Sequence, residues 1–238
     1  MNKSIMEQFA DFKTRHSLSN QDITKMITEY SNTELDLARS YFSEQYNISK
    51  SVFYKARDFA VIFCLIDEDT CKKLKRKTIA NYKRNNPKQT TNGPVLHFAE
   101  LCVQRQKLLD TFSDNEIKDI AYKYEEGISL KNIAFAYEIG EYGIKMLLKK
   151  GLVLLIVDGD TTRAISKRLG SKLDNILTLR ENNKQKVLDC VRKEIELLNL
   201  QIENYDIYYR NEKEKPSKEV LQKRLEELVK KEKEILRY

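Results

Sequence analysis

Residues 46–77, YNISKSVFYKARDFAVIFCLIDEDTCKKLKRK, can be laid without a gap on residues 137–168, YEIGEYGIKMLLKKGLVLLIVDGDTTRAISKR. Identities fall at Tyr46 and Tyr137, Ile48 and Ile139, Asp67 and Asp158, Asp69 and Asp160, and Thr70 and Thr161. Apolar character is kept where Phe53, Ala56, Leu65, Ile66 and Leu74 meet Ile144, Leu147, Ile156, Val157 and Ile165. Each copy reads as a short turn, an amphipathic helix, an Asp-x-Asp-Thr turn and a basic helix. The Asp-x-Asp-Thr pairs are read as helix caps, because capping needs these residues and no further ligands, whereas a metal would require more oxygen donors.

Working outward, each copy has two helices in front of it. Ser19 stands three residues before Asp22 and opens a stripe of Ile23, Met26, Ile27 and Tyr30, a capping-box-like start. Ser113, Ile117 and Tyr124 repeat that pattern at a slightly longer spacing, which a loop of different length explains. A helix over ELDLARSYFSEQY, with Leu35, Ala38, Phe42 and Tyr46 as its stripe, leads into the first copy, and SLKNIAFAY leads into the second. Ahead of all these, Ile5, Phe9 and Phe12 line one face of a short helix at residues 5–16. Residues 81–95, NYKRNNPKQTTNGPV, read as a linker because Asn, Thr, Gly and two prolines punctuate helices.

From about Leu173 the chain becomes long, charged and amphipathic. Leu188, Val191, Ile195, Leu198, Ile202, Tyr205 and Tyr209 alternate spacings of three and four, a coiled-coil seam. After the polar break at residues 211–216, Ser217 caps a last helix with the seam Leu221, Leu225, Leu228 and Ile235. Two such helices form either an antiparallel hairpin or a dimerisation arm, so a homodimer or a protein partner is expected through residues 175–238. The organisation is therefore all-α: a helical domain at 1–80, a linker at 81–95, a second helical domain at 96–172 and the amphipathic arm at 173–238.

Composition agrees. Seven Gly and three Pro in 238 residues favour long uninterrupted helices. A net charge of +7 attracts polyanions. The first residues, MNKSIMEQFADFK, carry acids inside their apolar stretch, so no signal peptide is expected, and no apolar run reaches the length of a membrane span. Four scattered cysteines (Cys64, Cys71, Cys102, Cys190), without metal-ligand spacing, read as reduced structural thiols of a cytoplasmic protein. No phosphate loop, zinc spacing or nucleophile arrangement marks an enzyme, and nothing implies a cofactor or a metal.

The segment SLKNIAFAYEIGEYGIKMLLKKG, and its counterpart in the first copy, resembles the helix-turn-helix of bacterial and phage regulators, sigma factors and recombinases. Ile133, Ala134, Tyr137, Ile139, Ile144 and Leu147 occupy the spacing that locks two helices at a steep angle; Phe42, Ser43, Tyr46, Ile48, Phe53 and Ala56 do so in the first copy. Asn47 suits the turn, whereas Glu138 stands where Gly is usual. The resemblance implies double-stranded DNA as partner, with exposed residues of the second helix in the major groove and basic neighbours on phosphates. The base-facing candidates it implies are Lys50, Ser51, Tyr54 and Lys55, with Arg57 on the same outer surface, and in the second copy Glu141, Tyr142, Lys145 and Lys149. The phosphate candidates are Lys72, Lys73, Lys75, Arg76, Lys77, Arg163, Lys167 and Arg168. The rival expectation is a non-enzymatic helical adaptor or inhibitor that binds a protein or RNA. A continuous cationic face from Lys50 to Lys77 favours DNA; a face interrupted by acids favours the adaptor.

Overall fold

Serine and aspartate caps set most of the helix starts. In the computed structural model, which describes residues 4–33, 44–169, 174–210 and 215–237, every described element is a helix. Reciprocal Ser–carboxylate boxes open α1 (Ile5–His16) at Ser4 and Glu7, and α2 (Asn20–Asn32) at Ser19 and Asp22. Ser49 accepts the Val52 N–H to open α3 (Lys50–Ile62), and Asp67 accepts the Thr70 N–H to open α4 (Glu68–Asn85). After α5 (Asn92–Asp110), the Ser113–Glu116 box opens α6 (Asp114–Glu125) and Ser129 opens α7 (Leu130–Ala136). There follow α8 (Glu141–Val153) and α9 (Gly159–Leu169), the latter started by Asp158, then α10 (Asp174–Glu203), α11 (Tyr205–Tyr208) and α12 (Lys218–Arg237). The Asp67 and Asp158 carboxylates thus do cap the paired helices.

Most of the helix expected over residues 34–46, including Leu35, Ala38, Phe42 and Ser43, lies outside the described residues, as do residues 211–214 of the polar break. The stretch 81–95 departs from its reading as a linker. Helix α4 runs to Asn85, where buried Asn81 donates to the Tyr30 hydroxyl, and α5 begins at Asn92. Pro94 falls in the first turn of α5, where a missing N–H costs nothing.

The chain divides into two compact units, Met1–Glu116 with Gly127–Leu147, and Ile117–Glu126 with Leu148–Tyr238. The first unit is centred on aromatic rings: Phe9 stacks on Phe63 at 4.1 Å and meets Phe59 at 5.0 Å, while Tyr30 meets Phe53 edge-on at 5.0 Å. Helix α3 packs against α2 and α5. In the second unit, Arg180 of α10 donates to the carbonyl of Leu152 (2.6 Å), an acceptor that the end of α8 leaves open, and to that of Val157 (2.9 Å) in the turn before α9.

Helices α10 and α12 lie antiparallel. Lys184 reaches the Leu236 carbonyl, Arg192 pairs with Glu232 at 2.7 Å, and Arg224 pairs with Glu194 at 2.6 Å. Between them every seam residue read from the sequence meets in one cluster: Leu188, Val191, Leu198, Tyr209, Leu221, Leu228 and Ile235, flanked by Ile195, Ile202, Tyr205 and Leu225. The seam is filled from within the chain. No helix among the described residues is long and apolar enough to cross a membrane.

Candidate nucleic-acid interface

The backbone of the repeat is the same in both copies at its two tightest points. Asn47 (φ 49°) and Glu138 (φ 54°) occupy the left-handed region at corresponding positions of the first turn, and Cys64 (φ 54°) and Leu155 (φ 60°) do so after the second helix. Non-glycine residues rarely adopt this conformation. Its recurrence at paired sites is a structural repeat that outlasts the side-chain identities.

In the first copy, Lys50, Ser51 and Lys55 are exposed on the opening turns of α3, and the Ser51 hydroxyl lies 2.8 Å from that of Ser49. No acid stands in that first turn. Tyr54 is half-buried, with the Arg57 guanidinium 5.0 Å over its ring. Arg57 itself corrects the sequence reading: it is 6% exposed, donates to Asp58 through Nε (2.9 Å) and Nη2 (2.6 Å), and places Nη2 3.1 Å from Nε2 of His97. A buried guanidinium has to be paired, and α5 brings the histidine that completes the set.

The basic run of α4 does not form one cationic surface. Lys72 is exposed but bridges to Glu68 at 2.9 Å, and Lys73 donates to Asn32 at 3.0 Å. Arg76 is exposed and Lys75 partly so. Lys77 is the second correction, at 7% exposure. Its ammonium donates to the carbonyls of Tyr30 and Thr33 and to the Thr33 hydroxyl, and sits 4.1 Å over the Tyr30 ring. A cation is favoured at the open carbonyls of a helix end, so Lys77 closes α2 rather than facing solvent. Burial lowers its pKa.

The second copy turns its candidates to other uses. Glu141 opens α8 with an acid. Tyr142 is half-buried and donates to Glu68 at 3.4 Å, beneath the Arg105 guanidinium; burial first, then the Glu68 charge, raises its pKa. Lys145 and Lys149 are exposed. Arg163 is exposed but bridged to Asp160, Lys167 is exposed, and Arg168 lies 4.3 Å over the Tyr124 ring.

Two features were not read from the sequence. Gly140 donates its N–H to the Phe63 carbonyl at 2.8 Å, and a Cβ placed on it would stand 1.8 Å from the Cys64 carbonyl oxygen. The second copy's turn therefore closes onto the turn that follows α3, which glycine alone permits. Cys64, buried beneath it, has its thiol pushed up to about 12 by that burial, an inert structural cysteine. The second feature is a groove of about 720 Å³ along α2, the 65–70 turn and the α7–α8 turn. Leu65, Ile66 and Ile139 supply apolar lining, Lys25, Lys131 and Lys145 supply charge, and Phe135 stands beside it 84% exposed. Phe135 lies in the helix read over SLKNIAFAY but was not singled out there. No protein-family model matches the chain, and neither does any curated protein or solved structure.

Proposed function

We propose that the chain is a non-enzymatic DNA-binding regulator, acting in transcription, replication or partition, in which the first helix-turn-helix unit is the reading head. The observation that carries this is the opening of α3: exposed Lys50 and Ser51, Lys55 one turn on, and no acid in the first turn. Such a helix start presents donors and positive charge together, the combination that major-groove entry between phosphates requires. The second copy serves as scaffold, since Tyr142 is engaged with Glu68 and the first turn carries Glu141. The C-terminal helices form an arm in coiled-coil style whose seam is already occupied, so a homodimer or partner contact would use its outward apolar residues, such as Leu197, Leu200 and Ile207. The proposed location is the cytoplasm, where the four free cysteines stay reduced.

Binding to random duplex DNA across a salt series tests the reading. Wild type binds at low salt and weakens as salt rises, and Lys50→Glu with Lys55→Glu weakens the interaction and makes it less dependent on salt. An absence of binding at low salt, or indifference to those changes, sinks it.

A second reading, a helical adaptor, is favoured by the groove beside exposed Phe135 and by the interruption of the α4 basic run by Glu68. Panning a displayed random-peptide library on wild type and on Phe135→Ser separates the two. Enrichment that depends on Phe135, with no duplex binding at low salt, selects the adaptor.

A further inference from the structure

A cleft of about 400 Å³ opens between α1 and α3. Its α1 wall follows from the apolar stripe of that helix. Phe9 and Phe12 turn inward, and one turn beyond Phe12 the same face carries His16, whose ring lies 5.0 Å from that of Phe12. Arg15 stands beside it in the last turn, and the helix stops at Ser17 in the left-handed conformation. The α3 wall is Ser51 and Lys55, one turn apart on the helix that the first copy exposes. The cleft therefore gathers a guanidinium, an ammonium, an imidazole and a hydroxyl from two helices.

These groups are available. Neither Arg15 nor Lys55 is held in an ion pair among the described residues; Lys55 makes only a contact 5.8 Å from the Phe59 ring centre. Asp11, an acid that also lines the cleft, has an interaction of its own. On α4, by contrast, Lys72 is bridged to Glu68 and Lys77 is spent on carbonyls, which leaves Arg76 exposed and without an ion pair among the described residues. The sequence placed its phosphate candidates on α4 and α9; Arg15 and His16 on α1 were not among them.

We propose that the α1–α3 cleft is a phosphate-binding site in which Arg15 and His16 hold a phosphodiester against Ser51 and Lys55. The assignment of the ligand to a DNA backbone rests on the DNA reading above; the phosphate chemistry does not. A planar guanidinium matches two phosphate oxygens at once, while an ammonium and a hydroxyl serve the remaining ones as point donors. A phosphate seated there lies alongside the opening turns of α3, so the same contact that anchors the backbone would orient Lys50 toward base edges.

Two measurements on the full chain test it and keep the two readings apart. The protein has two histidines, so imidazole NMR signals can be assigned with His97→Gln and followed while inorganic pyrophosphate is added. The His16 signals shift, those of His97 stay, and Arg15→Gln removes the response. In the duplex DNA salt series, Arg15→Gln weakens binding several-fold and makes the salt dependence shallower by about one unit, whereas Arg76→Gln on α4 matches wild type. His16 signals unmoved by pyrophosphate, or an Arg15→Gln protein with wild-type affinity and slope, overturns the cleft assignment. Wild type that answers pyrophosphate through His16 but binds no duplex at low salt overturns the DNA reading and leaves the phosphate site standing.

Discussion

The two copies of the repeat share a backbone and differ in what they do with it. Each has a left-handed residue in the first turn, Asn47 or Glu138, another after the second helix, Cys64 or Leu155, and an Asp-to-Thr cap on the next helix. Yet α3 leaves Lys50, Ser51 and Lys55 in solvent, whereas α8 gives Tyr142 to Glu68 and the turn before it presses Gly140 against Cys64. Backbone geometry is fixed by caps and left-handed turns that few substitutions disturb, while the exposed face is free to change. The second copy used that freedom to pack.

Breaking the close approach should have the largest effect. A methyl group at Gly140 would lie 1.8 Å from a main-chain oxygen, which cannot rotate away, so Gly140→Ala is expected to lower unfolding stability by about 3 kcal/mol. At Gly143 the nearest atom is the end of the Ile139 side chain at 2.9 Å, which can shift, and Gly143→Ala should cost about 1 kcal/mol. Urea unfolding followed by circular dichroism gives both values. Equal losses for the two variants would mean that the turns do not meet as described.

The asymmetry of surfaces comes next. If α3 alone reads DNA, Lys50→Glu with Lys55→Glu should flatten the salt dependence of binding by about two units, and Lys145→Glu with Lys149→Glu should leave it near wild type. Equal effects from both pairs would restore two equivalent readers.

A smaller effect separates the first turns. An L-residue in the left-handed region costs roughly 1–2 kcal/mol, and glycine removes that cost while losing about 0.5–1 kcal/mol through unfolded-chain entropy. Glu138→Gly should therefore gain about 0.5–1 kcal/mol, and Asn47→Gly close to nothing, because asparagine tolerates this conformation. Thermal midpoints of the two variants decide it. A gain at Asn47 that matches the gain at Glu138 would remove the distinction.

These comparisons also show where the sequence was legible. The helix start at Ser19, the Asp67 and Asp158 caps and the whole α10–α12 seam follow from caps and periodicity, which are local properties. The stretch before α5 was misread because Asn-Gly-Pro signals a turn but is also tolerated in a first helical turn. Arg57 and Lys77 were misread for a different reason. Each has a charge that the helix pattern places outside, and each is drawn inward by partners distant in sequence: His97 for Arg57, the Tyr30 and Thr33 carbonyls for Lys77. Gly140 belongs with these, since the Cys64 carbonyl that requires it lies far back along the chain. The candidate site was therefore half legible: the exposed lysines of α3 follow from its own periodicity, but the α1 wall with Arg15 and His16 needed the tertiary contact.

The paired caps offer the finest distinction between the copies. The Asp67 carboxyl is held below its ordinary value of 3.8 by the Thr70 hydroxyl and then the Thr70 N–H. For Asp158 burial pushes upward first, and the Thr161 N–H and hydroxyl, the Asp160 N–H and the Tyr122 hydroxyl together outweigh it, so its pKa is lowered too. A carboxyl depressed on folding stabilises the protein above its unfolded pKa, and that contribution is lost as pH falls through the lower folded value. Asn caps helices as well as Asp but does not titrate, so Asp67→Asn should lose a few tenths of a kcal/mol at neutral pH through the weaker interaction with the helix dipole. The difference from wild type should close as pH drops below about 4 and vanish once both states are protonated. Asp158→Asn should lose more at neutral pH, because it weakens acceptance from Asp160 and Tyr122 as well as from Thr161. Urea titrations of the three proteins at a series of pH values measure the gap. A gap that widens on acidification would reverse the sign assigned to these caps, and an Asp67→Asn loss exceeding that of Asp158→Asn would place the stronger cap in the first copy.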